Sequence, residues 1–410
     1  MKTFVARNRA APDGLPAAAL LSFLATAGFF YVNIMPALVE GLKTGLHFGD
    51  RAAGLAGSAN VYGAAAGALI ATFLVTRWPW RPAALALLGA LIAVDLGSLL
   101  VSTPELMIAV RALHGLAGGC LVGFAFSVIA RTQRPERTFG MLLVVQQGMG
   151  GLGVILLPQL VPLYGTKALF LALVLFSLLT LMMVPFLADY PRAGAGAARS
   201  PAGTTGRTAS ATGTDWTLLT FALGAVFLFQ FANMLLFAYI IGLARHFGLE
   251  PLHASTVVGL SAWLGVGGSL LVIAFGTRFG RVRTLVVSLL LTAAGMWMLL
   301  GSASALIYAV ANCATSVTWA FVIPHLLAMC AKCDQTGRAS ALGGFASKMG
   351  LATGPLLGAL LLGPGHYELL INVAALATLA CLLVALLPAA RLDRLYPELP
   401  GPGNGQATGP

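Results

Sequence analysis

The chain has 410 residues, of which 58% are hydrophobic and 9% charged, with a formal net charge of +11. A soluble protein carries about 25% charged residues, so this composition excludes a water-soluble globular domain and belongs in lipid. The basic residues stand singly or in small groups between apolar runs, with no basic patch interleaved with aromatics, which excludes a nucleic-acid partner.

In chain order, the first apolar run begins near Leu15. At about 25 residues it is too long for a signal-peptide core, and no small-residue cleavage site ends it, so it reads as a retained first helix. A span needs about 20 apolar residues. On that measure the chain divides into twelve. Spans 1 to 6 fall at 16–40, 52–76, 82–102, 105–130, 138–162 and 167–188. Spans 7 to 12 fall at 215–244, 252–276, 283–302, 305–330, 338–362 and 367–388. The stretch between the two sets is Gly, Ala, Ser, Thr, Pro and Arg with nothing to bury, which predicts a flexible linker. Of the five cysteines, Cys120, Cys313 and Cys381 lie in apolar runs and Cys330 and Cys333 beside a basic loop, so free thiols are expected.

The halves repeat one another at an offset of 201 residues: Arg77 meets Arg278, Arg137 meets Arg338, Gly153 meets Gly354 and Tyr62 meets Trp263. Of the 24 Lys and Arg residues, 18 lie in the N-terminus, the even-to-odd loops, the linker and the tail. The opposite loops hold Lys43, Arg51, Lys167 and Arg245, while Arg111 and Lys348 lie within spans. This bias places both termini in the cytoplasm of a bacterial-type inner (cytoplasmic) membrane. The expected organisation is a cytoplasmic arm at 1–15, a six-helix bundle at 16–188, a cytoplasmic linker at 189–214, a second six-helix bundle at 215–390 and a cytoplasmic tail at 391–410. The tail is Gly/Pro-rich after Pro397 and is expected to be disordered. The fold class is an all-α membrane protein with twelve transmembrane helices in two pseudo-symmetric bundles, the architecture of a rocking transporter.

The loop between spans 8 and 9 reads GTRFGRVR, with Arg278, Gly280 and Arg281. Span 4 carries Arg111, His114, Gly115, Gly118 and Gly119; span 5 carries Gly148, Gly150, Gly151, Gly153 and Pro158; span 11 has Gly354-Pro355. In these residues the chain resembles the major facilitator superfamily. That family has a Gly-x-x-x-Asp-Arg-x-Gly-Arg-Arg signature in loops 2–3 and 8–9, an Arg-x-x-x-Gly motif in span 4, and a glycine-rich span 5 in its antiporters. The acidic residue of the loop signature is missing here, since Thr277 stands in its place, and the loop from Arg77 to Arg81 is degenerate. The resemblance implies that spans 1, 4, 7 and 10 line a central cavity. It also implies that Arg278, Gly280 and Arg281 form a gating loop, bridging to helix C-termini when the outer side is open.

Ionisable residues inside spans are costly and mark function by default. Asp95 in span 3 and Arg111 in span 4 fall at similar depth on antiparallel neighbours and are expected to pair, as the charge pair that couples protons. His114, one turn from Arg111, is the rival proton site. The expected substrate-binding residues are Asn33, His114, Gln147, Asn233, Asn312, Trp319, His325 and Lys348. Lys348, which aligns with Gln147 in the repeat, has no snorkelling route to either surface and reads as a functional cation.

The leading reading is a secondary transporter of a small organic molecule, proton-coupled and directed outward, monomeric, with the lipid bilayer, the substrate and protons as its partners and no cofactor. The alternative is a copper-type metal importer: His325, Met329 and Cys333 form a stripe on span 10 suited to a soft ion. A non-transporting sensor or scaffold ranks last. No hydrolase, zinc-protease or nucleotide-binding motif occurs, so no enzymatic activity is expected.

Overall fold

The computed structural model describes residues 9–133, 135–190, 215–275, 278, 280–333, 338–362 and 365–395. Among them the chain is helical, with short 3-10 turns and no strand. Span 1 is two helices, Leu15–Asn33 and Met35–Gly45. The break follows from Pro36, which cannot donate to the preceding turn. Spans 2 to 6 are Asp50–Leu74, Trp80–Ser98, Pro104–Ile129, Pro135–Tyr164 and Lys167–Met183. Span 7 is also broken, into Trp216–Phe237 and Ile240–His246, and spans 8 to 12 are Pro251–Phe275, Arg281–Met298, Ala305–Lys332, Arg338–Leu361 and Tyr367–Leu395.

Among the described residues, eleven helices are long and apolar enough to cross a membrane. Span 11 is not among them, although it occupies the expected place. It carries Lys348, several glycines and serines, and it is packed between span 7 and span 2, so it needs less apolar surface than a lipid-facing helix.

The duplication seen in the sequence is carried by the packing. In the first half span 1 packs on spans 4, 5 and 6, span 2 on span 4, and span 3 on spans 4 and 6; the second half repeats each of these pairings. The halves meet along two seams, span 2 against span 11 and span 8 against span 5. The repeat-related aromatics Tyr62 and Trp263 each bond across a seam. The Tyr62 hydroxyl lies 2.9 Å from Thr353 Oγ1, and the Trp263 indole donates to the Gly148 carbonyl at 3.1 Å. At the end of the bundle away from the linker, the far end, Arg245, Glu40, Lys43 and Tyr367 tie the halves together.

The linker at 191–214 and the tail from 396 lie outside the described residues. Residues 391–395, expected in the tail, instead continue the span 12 helix. That last turn is held because Arg391 pairs with Asp215 at 2.7 Å and Asp393 bonds to the start of span 9. The arm is held as well: the Tyr190 hydroxyl donates to the Pro12 carbonyl, and Arg9 pairs with Asp189 at 2.5 Å.

Candidate functional site: a buried charge cluster beside a midplane cleft

Spans 2 and 4 are drawn together by small residues. A methyl group added to Gly63, Gly67, Gly115 or Gly119 would run into the backbone of the facing helix. Small residues are what allow such an approach in lipid, where no hydrophobic drive operates between helices. The approach brings Asn60 of span 2 against span 4, where its Nδ2 donates to the Arg111 carbonyl at 3.2 Å and lies 2.8 Å from His114 Nδ1. A carbonyl only accepts, so the Arg111 contact fixes the amide orientation and makes His114 Nδ1 an acceptor. The proton of the neutral imidazole is then on Nε2, which faces Asp95 Oδ2 at 3.3 Å.

Arg111 Nη1 donates to Asp95 Oδ1 at 2.9 Å, and its Nη2 donates to Ser98 Oγ. Asp95 and Arg111 are both 0% exposed, and Asn60, Ser98 and His114 are buried around them. Tyr31 and Phe170 close the cluster with their rings, 5.7 and 5.1 Å from the guanidinium carbon. The helix of span 3 ends at Ser98, not at 102 as the apolar run suggested, so Asp95 stands in its last turn. It remains buried there because spans 3 and 4 run back to back and Arg111 reaches it. The second half has no counterpart: the offset of 201 puts Met296 at Asp95, Asn312 at Arg111 and Thr315 at His114.

A second group of polar residues lies between the halves at mid-depth. Lys348 Nζ sits 4.7 Å from the centroid of the Phe29 ring on span 1, in the opposite half. Asn33 is one turn beyond Phe29 on the same face and is half-buried, with Nδ2 3.5 Å from the Gln146 carbonyl. Gln147 lies against Gly265 of span 8, in the opposite half. Across from these, the Trp319 indole donates to Gln230 Oε1 at 2.9 Å, and Gln230 Nε2 donates to Ser347 Oγ at 2.8 Å. Asn233, half-buried, stands one turn beyond Gln230 and donates to the Phe229 carbonyl of its own helix.

The expected residues therefore divide. Asn33, Gln147, Asn233, Trp319 and Lys348 are each half-buried, whereas His114 belongs to the buried cluster. Asn312 is buried and donates to the Tyr308 carbonyl of its own helix. His325 is buried with Nδ1 at the Phe321 carbonyl, and Met329 and Cys333 are packed in the apolar core of the second half, which gives the soft-ligand stripe no open face. No group of three or more His, Cys, Asp and Glu side chains suited to a metal occurs among the described residues. Arg281 is buried and paired with Asp393 in its own half, while Arg278 is exposed. Sequence reasoning missed Asn60, Ser98, Gln230 and Asp393. The available signal was the lone amide Asn60 in the apolar span 2, and Gln230 one turn before Asn233 in span 7.

Two duplicated six-helix bundles, tied at one end and holding polar side chains between them at mid-depth, define a secondary transporter rather than an enzyme. The family profile described as Major Facilitator Superfamily matches residues 18–232 and 221–407, and the chain belongs to that superfamily. Among solved structures it is similar to the nucleoside transporter NupG, at a TM-score of 0.67 and 15% identity over 91% of this chain and 98% of that one. It is similar also to a D-xylose-proton symporter, at a TM-score of 0.67 and 14% identity over 89% of this chain and 96% of that one. At these identities the likeness is one of fold. No curated protein matches the sequence.

Proposed function

We propose that this transporter couples the movement of a small organic molecule to protons, with Asp95, Arg111 and His114 as the coupling group. The observation that carries the reading is a carboxylate at 0% exposure facing a guanidinium at 2.9 Å and an imidazole at 3.3 Å, in one half of a duplicated chain. A buried charge persists only while it is paired, so opening the Asp95–Arg111 contact obliges the carboxylate to take up a proton, and closing it releases one. Asn60 links this event to rocking. It lies on span 2 between Ser58, which donates to the Ala352 carbonyl at 2.8 Å, and Tyr62, both of which hold span 11 across the seam. Movement of span 2 against span 11 therefore shifts the amide that fixes His114.

The Lys/Arg distribution supports both termini on the cytoplasmic side of the inner membrane, with the tied far end facing outward. The similar structures are named for a nucleoside and for D-xylose with a proton, so polar organic substrates and proton coupling both have precedent on this fold. Substrate moves outward and protons inward, the direction implied by the resemblance of the glycine-rich span 5 to antiporters. The test uses liposomes reconstituted with the purified chain and holding a pH dye, challenged with a panel of organic solutes. Wild type is expected to change internal pH with a transported solute and to accumulate it against its gradient. Asp95→Asn is expected to lose accumulation while keeping solute exchange without a gradient. Retained uphill transport in Asp95→Asn removes the cluster from coupling.

A further inference from the structure

We infer that Lys348 is the anchor of a carboxylate subsite in the cleft, so that the substrate is a small organic monoanion with an apolar body. This rests on the reading of the mid-depth space as the substrate path. Lys348 is about ten residues, or roughly 15 Å, into span 11. It is half-buried, and its Nζ lies over the ring of Phe29 in the opposite half, so it points between the halves and not at the lipid surface.

Its charge is not neutralised in place. Among the described residues no carboxylate lies within ion-pair distance, and its one described partner is the Phe29 ring. A cation over an aromatic face is only weakly attracted to it. Taking an ammonium partly out of water costs more than that attraction returns, so the ring does not offset it. The neighbouring polar groups bond to one another, Trp319 to Gln230 and Gln230 to Ser347, and neither bond involves the ammonium. An anionic ligand entering between the halves would supply the acceptor that this ammonium lacks.

The chemistry of the surroundings narrows that ligand. One ammonium matches one negative charge, as a carboxylate carries it over two oxygens. A phosphate dianion would call for a second cation or a guanidinium fork, and none faces Lys348 among the described residues. Phe29, which is 6.0 Å from the Phe126 ring, and Trp319 supply flat apolar walls for the rest of the molecule.

The test measures thermal unfolding of the purified full-length chain in detergent, titrated with charge-matched probes: benzoate against benzamide, hexanoate against hexanamide and hexylammonium, and phenylphosphate. At least one carboxylate is expected to bind about thirty-fold or more tightly than its amide, the loss that accompanies removal of one partner of a buried charge pair. Lys348→Gln is expected to bring carboxylate and amide together, and Lys348→Arg to keep the preference. No carboxylate preference in wild type, a preference for hexylammonium or phenylphosphate, or a preference that survives in Lys348→Gln overturns the proposal. The wild-type comparison alone can overturn it, so it does not depend on a variant folding. Binding is read without a gradient, so loss of the carboxylate preference leaves proton coupling standing, and failed coupling leaves the preference readable.

Discussion

Arg245, on the short second helix of span 7, places Nη1 2.5 Å from Oε1 of Glu40, on the short second helix of span 1. The two interrupted helices of the repeat are thus joined across the far end. Lys43 stands beside them, 2.5 Å from Asp50 and 3.3 Å from the Tyr367 hydroxyl. Glu40 is nearly buried and Arg245 is 45% exposed, so the pair is worth less than a fully buried one. Glu40→Gln is expected to weaken the closed far end by about 1–2 kcal/mol, a roughly five- to thirty-fold change. An Ala359→Cys reporter at the same seam, where Ala359 lies under Gly54, should be labelled correspondingly faster by an impermeant maleimide. An unchanged labelling rate means that apolar packing alone holds the seal.

The approach of spans 2 and 4 makes a second prediction. Gly115→Ala drives a methyl into the Asn60 carbonyl, and the helices must separate at the point where Asn60 meets His114. A destabilisation of about 1–3 kcal/mol is expected, with loss of coupled transport. Gly89→Ala in span 3 meets nothing within 4 Å and removes only backbone freedom, so it should be neutral or stabilising by up to about 1 kcal/mol. Thermal unfolding of the two variants side by side measures the contrast, and equal effects would rule out close packing as the reason for the span 4 glycines.

Asp95 and Arg111 should show strong non-additivity. Asp95→Asn or Arg111→Gln alone leaves a buried charge without its partner, which costs about 3–5 kcal/mol. The double variant removes both charges and should recover most of that stability while remaining unable to drive uphill transport. Two losses that simply add in thermal unfolding would show that the charges do not depend on each other, despite the 2.9 Å contact.

How much of this was legible follows from what carries each feature. Apolar run length and the offset of 201 are written in composition and spacing, so the spans and the duplicated architecture could be read before any coordinates. Asp95 with Arg111 was legible because charges in spans are scarce and the two helices are neighbours in sequence. Asn60 was not, because its role depends on how closely spans 2 and 4 approach, and a glycine pattern does not say which helix it faces. Gly354 illustrates the limit. It is the repeat partner of Gly153, and it packs on Leu235 and Met234 of span 7 in its own half, which the pattern alone does not say. In span 5 itself Gly151 meets span 8 across the seam, while Gly153 meets Ile34 of span 1. Resemblance also pointed to spans 1, 4, 7 and 10 as the cavity wall, whereas the cation between the halves comes from span 11.

Arg281 gives the last prediction, because its surroundings separate a structural cap from a gate. The loop signature lacks its acidic residue, and Asp393 of span 12 supplies one from another helix. Asp393 Oδ1 accepts from the Arg281 amide at 3.0 Å and from Arg281 Nη1 at 3.1 Å, and Oδ2 accepts from the Val282 amide at 3.1 Å. It therefore satisfies amide donors at the start of span 9 that have no partner within the helix. Gly280 makes the turn at a φ of 76°, a conformation that disfavours any side chain. All of these groups lie in one half, so the arrangement moves as a unit when the halves rock. Asp393→Ala should then cost about 1–2 kcal/mol in thermal unfolding, since it removes both main-chain acceptors and the ion pair. Arg281→Ala should cost less, because the amide bonds remain, and Arg278→Ala should cost nothing measurable at its exposed position. None of the three should alter the accessibility of Val272→Cys, toward the linker end of span 8. A rise in that accessibility for Arg281→Ala, with stability unchanged, would assign Arg281 to the gate between conformations and not to the cap.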